Sequence, residues 1–504
     1  MHQPSQKISR ILVLGGGSAG LIAAHTLKRK LPQVEVEVLR SKEIGVIGVG
    51  EGTTAAFPRH FFEYLKLNPQ DFYDGAEPTW KLGIRFLWGP GEFFYTFSRE
   101  YSQRWTEMSR NVGFYVDEHT RGAGITSACM ARDKAFPRKP DGSPHLHNNH
   151  AFHIENLKLV AWLEKMCLRE QVLVTDGTMA SAEVAGGEIA ALHLEDGRSV
   201  TADLYIDASG FRSELLGRAL GTPYVDYSKS LFCDRAVIAG WPRTREPIKP
   251  YTVAETMNAG WCWQIEHENW INRGYVYSSP FISDEDALTE FRCKNPKIAN
   301  EPRVVKFRSG RYRDHWTGNV VGVGNSVGFV EPLEATALQV IAVEASTLAD
   351  TLVDSLCEPT PTLIKLYNKY NSGGWDDIRD FLAVHYAFNT RLDTPFWQAC
   401  RADTDLAGAQ QVVEFYKENG PSVVAADSML HPSNSFGIEG YLVMMLGQRV
   451  PHGKPYTPTP REAKLWRDRL AAFDSHAAAA VSVEDMLKYI RQPNATWAGQ
   501  PKQS

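Results

Sequence analysis

Three glycines, Gly15, Gly17 and Gly20, stand at GxGxxG spacing between an apolar run at residues 8–14 and a segment with apolar residues at helical spacing. Glycine lets the chain turn tightly and lets a pyrophosphate approach the backbone amides, and the dipole of the following helix favours the anion. A second strand pattern at residues 34–39 completes the setting the motif needs, so the chemistry indicated is dinucleotide binding. One part of that fingerprint is replaced. An acidic residue normally ends the second strand and holds the adenosine ribose, whereas Arg40 and Ser41 stand here, with Glu43 beyond. A second glycine-rich loop, residues 45–54, follows too closely to open another such unit and is expected to strap the same cofactor.

Other residues could act on a substrate. Lys81 lies in WKLGIRFLW, where Trp80, Leu82, Ile84, Phe86 and Trp88 share one face of an alternating strand and Lys81, Gly83 and Arg85 share the other. From pattern alone Lys81 reads as a solvated lysine on a surface sheet, beside a further aromatic strand at residues 93–97. Glu331 and Glu334 follow an apolar strand and a turn at Gly324 and Asn325. A helix beginning near Pro332 would put Glu334 in its first turn, where a carboxylate complements the dipole as a capping charge. His145, His147, His150 and His153 crowd one stretch without an interleaved acid or cysteine, at neither HExxH nor finger spacing. They read as a polar loop entering a helix at Glu155, and no metal is assigned.

The elements that must position these groups need a long chain. At 504 residues several structural units are expected. With 54 basic against 59 acidic side chains, there is no basic excess of the kind that recognises nucleic acid. The seven cysteines are scattered and form no CxxC pair, which reads as reduced thiols in a cytoplasmic protein. The start is polar, and no run reaches the roughly 18 apolar residues that would span a bilayer, so no membrane partner is expected. Residues 203–213 read as a buried strand ending in a small-residue turn, and residues 319–346 as strand, turn and helix. Two strand-turn-helix units far apart in sequence can converge on one cofactor. From about residue 395 the chain is helix-rich, and residues 491–504 are expected to be a disordered tail.

Taken together the motifs resemble the flavin-dependent halogenases of the tryptophan halogenase family. GGGSAG, GVGEGTT, the Lys81 strand, DASGFRS, GYVYSS, FVEPLEATA and RDFLAVHYAFNTRLDTPFW occur in that order across nearly the whole chain. The resemblance implies an α/β fold. A Rossmann-like FAD-binding module of flavoprotein monooxygenase type, interleaved with a mixed sheet carrying substrate-pocket strands, would occupy residues 1–395, and a helical substrate-binding module residues 396–490. It implies FAD and a halide ion, chloride or bromide: a flavin hydroperoxide is attacked by halide, and hypohalous acid passes inward to a lysine beside a small aromatic substrate. With no second nucleotide fingerprint for NAD(P)H, a separate NAD(P)H-dependent flavin reductase would supply reduced FAD. A homodimer is among the assemblies the family permits.

The family lysine falls on Lys81, which would hold the oxidised halogen. The family glutamate falls on Glu334, which would orient the halogenating species and accept the ring proton. The halide amides fall on Thr336 and Ala337. FAD contacts fall on Gly15, Gly16, Gly17, Ser18, Ala19, Gly20, Ser41, Ile44, Ile47, Glu51, Asn325 and Leu338.

Three departures shape the expectation. The family motif WxWxIP, a wall between flavin and substrate, is here Trp261 to Glu266, with an acid for the proline; Trp261, Trp263 and Ile265 still share one face. The family Ser-Thr-Gly is Ala335, Thr336 and Ala337, and an alanine at φ > 0 would cost on the order of 1 kcal/mol. The tyrosine pair of tryptophan-specific members is replaced by Gly440 and Tyr441, with Phe436 the nearest large aromatic, while Tyr95 and Phe97 are further candidate walls. The expected function is therefore a two-component halogenase acting on an indole, pyrrole or phenol rather than on free tryptophan. A flavin-dependent monooxygenase or oxidase on the same scaffold is the second reading, motivated by Glu266 and Ala337.

Overall fold

In the strand Arg10–Leu14, Ile11, Leu12 and Val13 are wholly buried, facing both ways from the strand, as a central position in a parallel sheet requires. The computed structural model describes residues 7–43, 50–98, 113, 120, 124–147, 149–424 and 426–492. Arg10–Leu14 pairs in parallel with Glu35–Arg40 on one side and Leu204–Asp207 on the other, in a six-stranded sheet that also holds Leu173–Asp176, Val320–Gly322 and Trp316–Thr317. The helices Ser18–Lys30 and Ala337–Asp354 pack together. Each follows a strand of this one sheet, so the two distant strand-turn-helix units converge as expected.

A seven-stranded sheet forms the second layer, in the order Arg303–Lys306, Arg235–Pro242, Trp270–Tyr277, Gly260–Glu266, Thr252–Met257, Gly83–Leu87 and Phe93–Thr96. A three-stranded sheet, Gly50–Gly52, Ala151–Glu155 and Thr79–Lys81, links the two larger layers. The alternating run at residues 80–88 is thus not one strand. It breaks at Leu82, whose N–H donates to the Pro250 carbonyl at 2.7 Å, and passes from the small sheet into the large one. Lys81 sits at that crossing and is wholly buried, not solvated.

Two further expectations are corrected. The histidine-rich stretch does not run as a loop into a helix at Glu155: Ala151–Glu155 is a strand, and the helix begins at Asn156. The second cofactor helix begins at Ala337 rather than near Pro332, so Glu334 ends a separate 3-10 turn, Pro332–Glu334, and caps nothing. That turn carries Glu334 inward, to 2% exposure.

After residue 395 the chain is helical as read, and the helix Gly437–Gly447 packs on the long helix Pro361–Ala387. Ile44, Ile47, part of the second glycine-rich loop and the tail from residue 493 lie outside the described residues. Within the described residues no helix is long and apolar enough to cross a membrane. The seven cysteines, all among the described residues, form no disulfide with one another.

Candidate active site

The C-terminal ends of the parallel strands open on a cavity of about 820 Å³, which lies within the size range of small-molecule and cofactor pockets. Gly15, Gly16, Gly17, Ser18 and Ala19 line one end, with Ser41, Glu51 and Asn325 from other segments and Ala337 and Ile341 from the second helix. Gly15 has φ +127°, and a side chain there would strike the Ala208 carbonyl at 2.3 Å. A Cβ on Gly17 would meet nothing within 4 Å, so the chain leaves an open cradle at the N-terminus of the helix Ser18–Lys30. Gly20 and Leu338 pack into the protein rather than forming the cavity surface, Gly20 lying against the Gly15 carbonyl.

Arg40, standing where a ribose-binding acid was expected, is paired with Glu164 at 2.6 Å and Asp176 at 3.0 Å. Glu344 fixes the Gly324–Asn325 turn by accepting the Gly324 N–H at 2.8 Å and the Trp375 indole N–H at 2.9 Å; burial pushes its carboxyl up to about 8. Burial likewise lifts Glu51 to about 7. The shape, the glycine turn and the helix N-terminus fit a dinucleotide such as FAD.

A second cavity, about 500 Å³, lies on the other side of Lys81, between the strand Phe93–Thr96 and the helix Gly437–Gly447. Tyr95, Phe97, Phe436 and Gly440 line it, together with Thr54 and Gln339. Thr54 donates to Gln339 Oε1 at 2.6 Å, and Gln339 Nε2 donates to Ser435 at 2.8 Å, which ties the lining of three segments together. Phe381 supports this wall: it stacks on Phe436 with ring centroids 4.0 Å apart and meets Tyr95 at 5.8 Å. Tyr441 packs in the core against Phe381 and is not part of the cavity lining. Trp263 lines the larger cavity rather than this one, and Trp261, wholly buried with its ring centroid 5.9 Å from that of Trp263, lines neither.

Lys81 and Glu334 occupy the partition between the cavities. Lys81 Nζ donates to the Thr53 carbonyl at 3.1 Å and sits 5.4 Å from the centroid of the Phe97 ring. Burial pushes the amine down to about 7, against the opposing pull of the Glu334 carboxylate. Glu334 is raised, chiefly by burial, with His385 and Lys81 pulling the other way. His385 Nδ1 lies 2.8 Å from the Phe381 carbonyl and Nε2 lies 2.8 Å from Glu334 Oε1. A carbonyl only accepts, so Nδ1 carries hydrogen, and a single proton lies in the contact between Nε2 and Oε1. Sequence reading missed His385 and Phe381. Both lie in the long helix at i, i+4 spacing, which was the available signal.

Glu331, three residues before Glu334, takes a different course. It accepts a hydrogen bond from the Tyr386 hydroxyl, and burial lifts it to about 7. No group of three His, Cys, Asp or Glu that could hold a metal ion occurs among the described residues.

The two substitutions flagged in the sequence are absorbed locally. Ala337 begins a helix with no positive φ; the left-handed residue is Ala335, at φ 56°. Glu266 lies on the face of its strand opposite Trp261, Trp263 and Ile265, where Arg243 pairs with it at 2.5 Å and Gln264 donates to it at 2.6 Å. Both charged side chains are buried, at 8% and 1% exposure. Glu266→Ala would strand a buried guanidinium and is expected to destabilise the protein by about 3–5 kcal/mol, read as a lowered urea midpoint with an unchanged slope.

Comparison with known proteins accords with this geometry. The model of the family described as tryptophan halogenase matches residues 10–460. Tryptophan 7-halogenase RebH of Lentzea aerocolonigenes is 30% identical over 448 residues, covering 82% of each chain. Tryptophan 7-halogenase KtzQ of Kutzneria sp. is 32% identical over 447 residues, covering 82% of this chain and 83% of its own. Among solved structures, MibH, a lanthipeptide tryptophan 5-halogenase, superposes with a TM-score of 0.87 at 35% identity, covering 98% of this chain and 95% of its own. BrvH, a flavin-dependent halogenase from Brevundimonas sp., gives 0.84 at 26% identity, covering 96% and 99%.

Proposed function

That the chain belongs to the tryptophan halogenase family, whose members are FAD-dependent halogenases using reduced FAD, oxygen and halide, is the premise from which we propose a two-component enzyme that places chlorine or bromine on an electron-rich aromatic of indole, pyrrole or phenol type other than free tryptophan. The observation that carries this reading is a lysine and a glutamate, both buried, in the partition between a dinucleotide-sized cavity and an aromatic-walled one.

Reduced FAD with oxygen supplies the oxidising power that turns halide into hypohalous acid. The chain's own groups do the rest. The amides at Gly15–Ala19 hold the pyrophosphate. The backbone at Thr336 and Ala337, where a helix begins, offers a halide the positive end of a dipole. Lys81 holds the oxidised halogen at the partition. The substrate ring carbon attacks the halogen and forms the carbon–halogen bond, while the bond joining halogen to nitrogen or oxygen breaks with its electron pair on the leaving atom. Glu334 takes the ring proton, with His385 fixing Oε1 and leaving Oε2 to receive it. Phe97, Tyr95 and Phe436 hold the flat substrate in the second cavity.

The substrate assignment rests on Gly440, where tryptophan-specific members have a tyrosine. A Cβ there would come within 2.9 Å of the Tyr95 hydroxyl and 3.2 Å of the Phe436 Cβ, so this wall is already filled by other aromatic residues and has no room for a tyrosine at Gly440. The test is mass spectrometry of a mixed panel incubated with a flavin reductase, NADH, FAD, chloride and bromide. The panel holds indoles, pyrroles, phenols, free tryptophan and, because MibH is a lanthipeptide halogenase, peptide-borne tryptophan. Halogenated product is expected from the first three classes and not from free tryptophan. Absence of any halogenated product with FAD-loaded protein refutes the proposal, and halide-independent incorporation of labelled oxygen would move it to the monooxygenase reading.

A further inference from the structure

Between Lys81 and the larger cavity lies a space that the scheme above leaves unassigned. Gly52, Thr252 and Ala335 line the larger cavity at this point. A methyl group built on Gly52 would lie 3.3 Å from Lys81 Nζ, 3.3 Å from the Ala335 methyl and 3.4 Å from Thr252 Oγ1. A volume of about one heavy atom is therefore faced by an amine, a hydroxyl and a methyl. Thr252 Oγ1 lies 2.8 Å from Nε2 of His153, a wholly buried residue. Strand register sets His153 opposite both Gly52 and Thr79, directly beneath the partition. Burial, Lys81, His267 and Arg243 all oppose a second proton on this ring, against only the Glu266 backbone, so it stays neutral. A neutral imidazole shares one hydrogen with the hydroxyl and thereby fixes its direction.

We propose that the space at Gly52 is the resting place of the oxidised halogen on its way to Lys81, with Thr252, oriented by His153, as its second polar contact. This rests on the halogenase reading and names the residues that hold hypohalous acid within it. Hypohalous acid has one hydrogen to donate and an oxygen that accepts, and the Thr252 hydroxyl and the Lys81 amine complement both. Lacking a side chain, Gly52 leaves this space open to either halogen, and filling it with a methyl group would exclude the larger bromine first. His153 is a positioning residue that acts through Thr252.

The test uses FAD-loaded protein, a flavin reductase and an aromatic that the wild-type chain halogenates, with bromide and chloride at equal concentration. Thr252→Val should keep FAD binding, measured by flavin fluorescence, while product formed per NADH consumed falls about tenfold. The missing oxidised halogen should appear on an added thiol scavenger. Thr252→Ser should restore the coupling. Gly52→Ala should lower the ratio of brominated to chlorinated product severalfold.

A readout free of turnover comes from the FAD-free chain treated with cyanate. Its isocyanic acid form adds to the Lys81 amine, forming a nitrogen–carbon bond while the amine proton moves to the cyanate nitrogen, and the resulting urea is found by peptide mass. Carbamylation should slow in Gly52→Ala and stay unchanged in Thr252→Ser. Wild-type coupling in Thr252→Val, an unchanged halide ratio in Gly52→Ala, or loss of FAD binding in Thr252→Val would each overturn the assignment. A wild-type chain that halogenates nothing refutes the function itself, an outcome distinct from all of these.

Discussion

Lys81→Met is expected to abolish halogenation, by at least ~100-fold, while FAD binding and melting temperature are retained or rise. The methionine side chain keeps much of the lysine stem and removes an amine that lies wholly buried at the end of the strand Thr79–Lys81. Among the described residues the hydrogen-bond acceptor forfeited is the Thr53 carbonyl, and the Glu334 carboxylate keeps its contact with His385, so no buried charge is left without a partner. Loss of product with a preserved fold would thus be a loss of chemistry.

The pH profile adds a sign. Burial lowers Lys81 to about 7, so the amine is neutral above that pH and charged below it. If the halogen is held covalently, the reactive form is the neutral amine, and the rate should rise as pH increases through about 7. A rate that falls through the same range would mean that the ammonium form, donating a hydrogen bond to hypohalous acid, is the active one. Wild-type turnover in Lys81→Met would take the lysine out of the mechanism.

Much of the scaffold was legible because its signals are local. The Gly15–Gly20 turn, the strands on either side of it and the strand and turn of the second unit depend on residues within a few positions of one another and formed where the pattern put them; only the helix of that second unit starts elsewhere, at Ala337 rather than near Pro332. The environment of Lys81 was not legible from its strand. Alternation says which residues share a face, but burial on the lysine face comes from Thr53, Phe97 and Glu334, brought in by separate segments. The break at Leu82, set by the Pro250 carbonyl, is equally non-local.

Glu266 shows the same limit in reverse. Its acid looked disruptive within WCWQIE, yet its partner Arg243 lies 23 residues earlier, and strand parity turns the pair away from the cavity. Glu334 was read as a helix cap because Pro332 is a good first helical residue. The left-handed Ala335 ends that turn after Glu334 and delays the α-helix to Ala337, which frees the carboxylate to face inward.

Glu334→Gln is the complementary experiment, and it separates the proton acceptor from the halogen carrier. The amide keeps the size of the carboxyl and can still meet His385 Nε2, so FAD binding and the reactivity of Lys81 toward amine reagents should persist. Halogenation should fall about 10²–10⁴-fold, since the ring proton loses its base. The sign of the pH effect follows from the environment. Burial raises Glu334 above the ordinary carboxylate range, so its basic form is lost as pH falls through that raised value. Where the neutral amine is the reactive form, this loss joins the protonation of Lys81 in the wild type, and two coupled groups give an acid limb steeper than a single ionisation, with apparent pKa values belonging to the pair.

In Glu334→Gln the residual rate should depend on Lys81 alone, with a limb of one-proton steepness. His385→Phe should lie between the two. It removes the group that holds Oε1 and pulls Glu334 down, so the carboxylate would stay protonated to higher pH and the acid limb would move upward. An acid limb unmoved in His385→Phe, alongside a large loss in Glu334→Gln, would assign the proton transfer to the carboxylate without help from the imidazole. A Glu334→Gln variant of undiminished rate would require a different base in the partition between the two cavities.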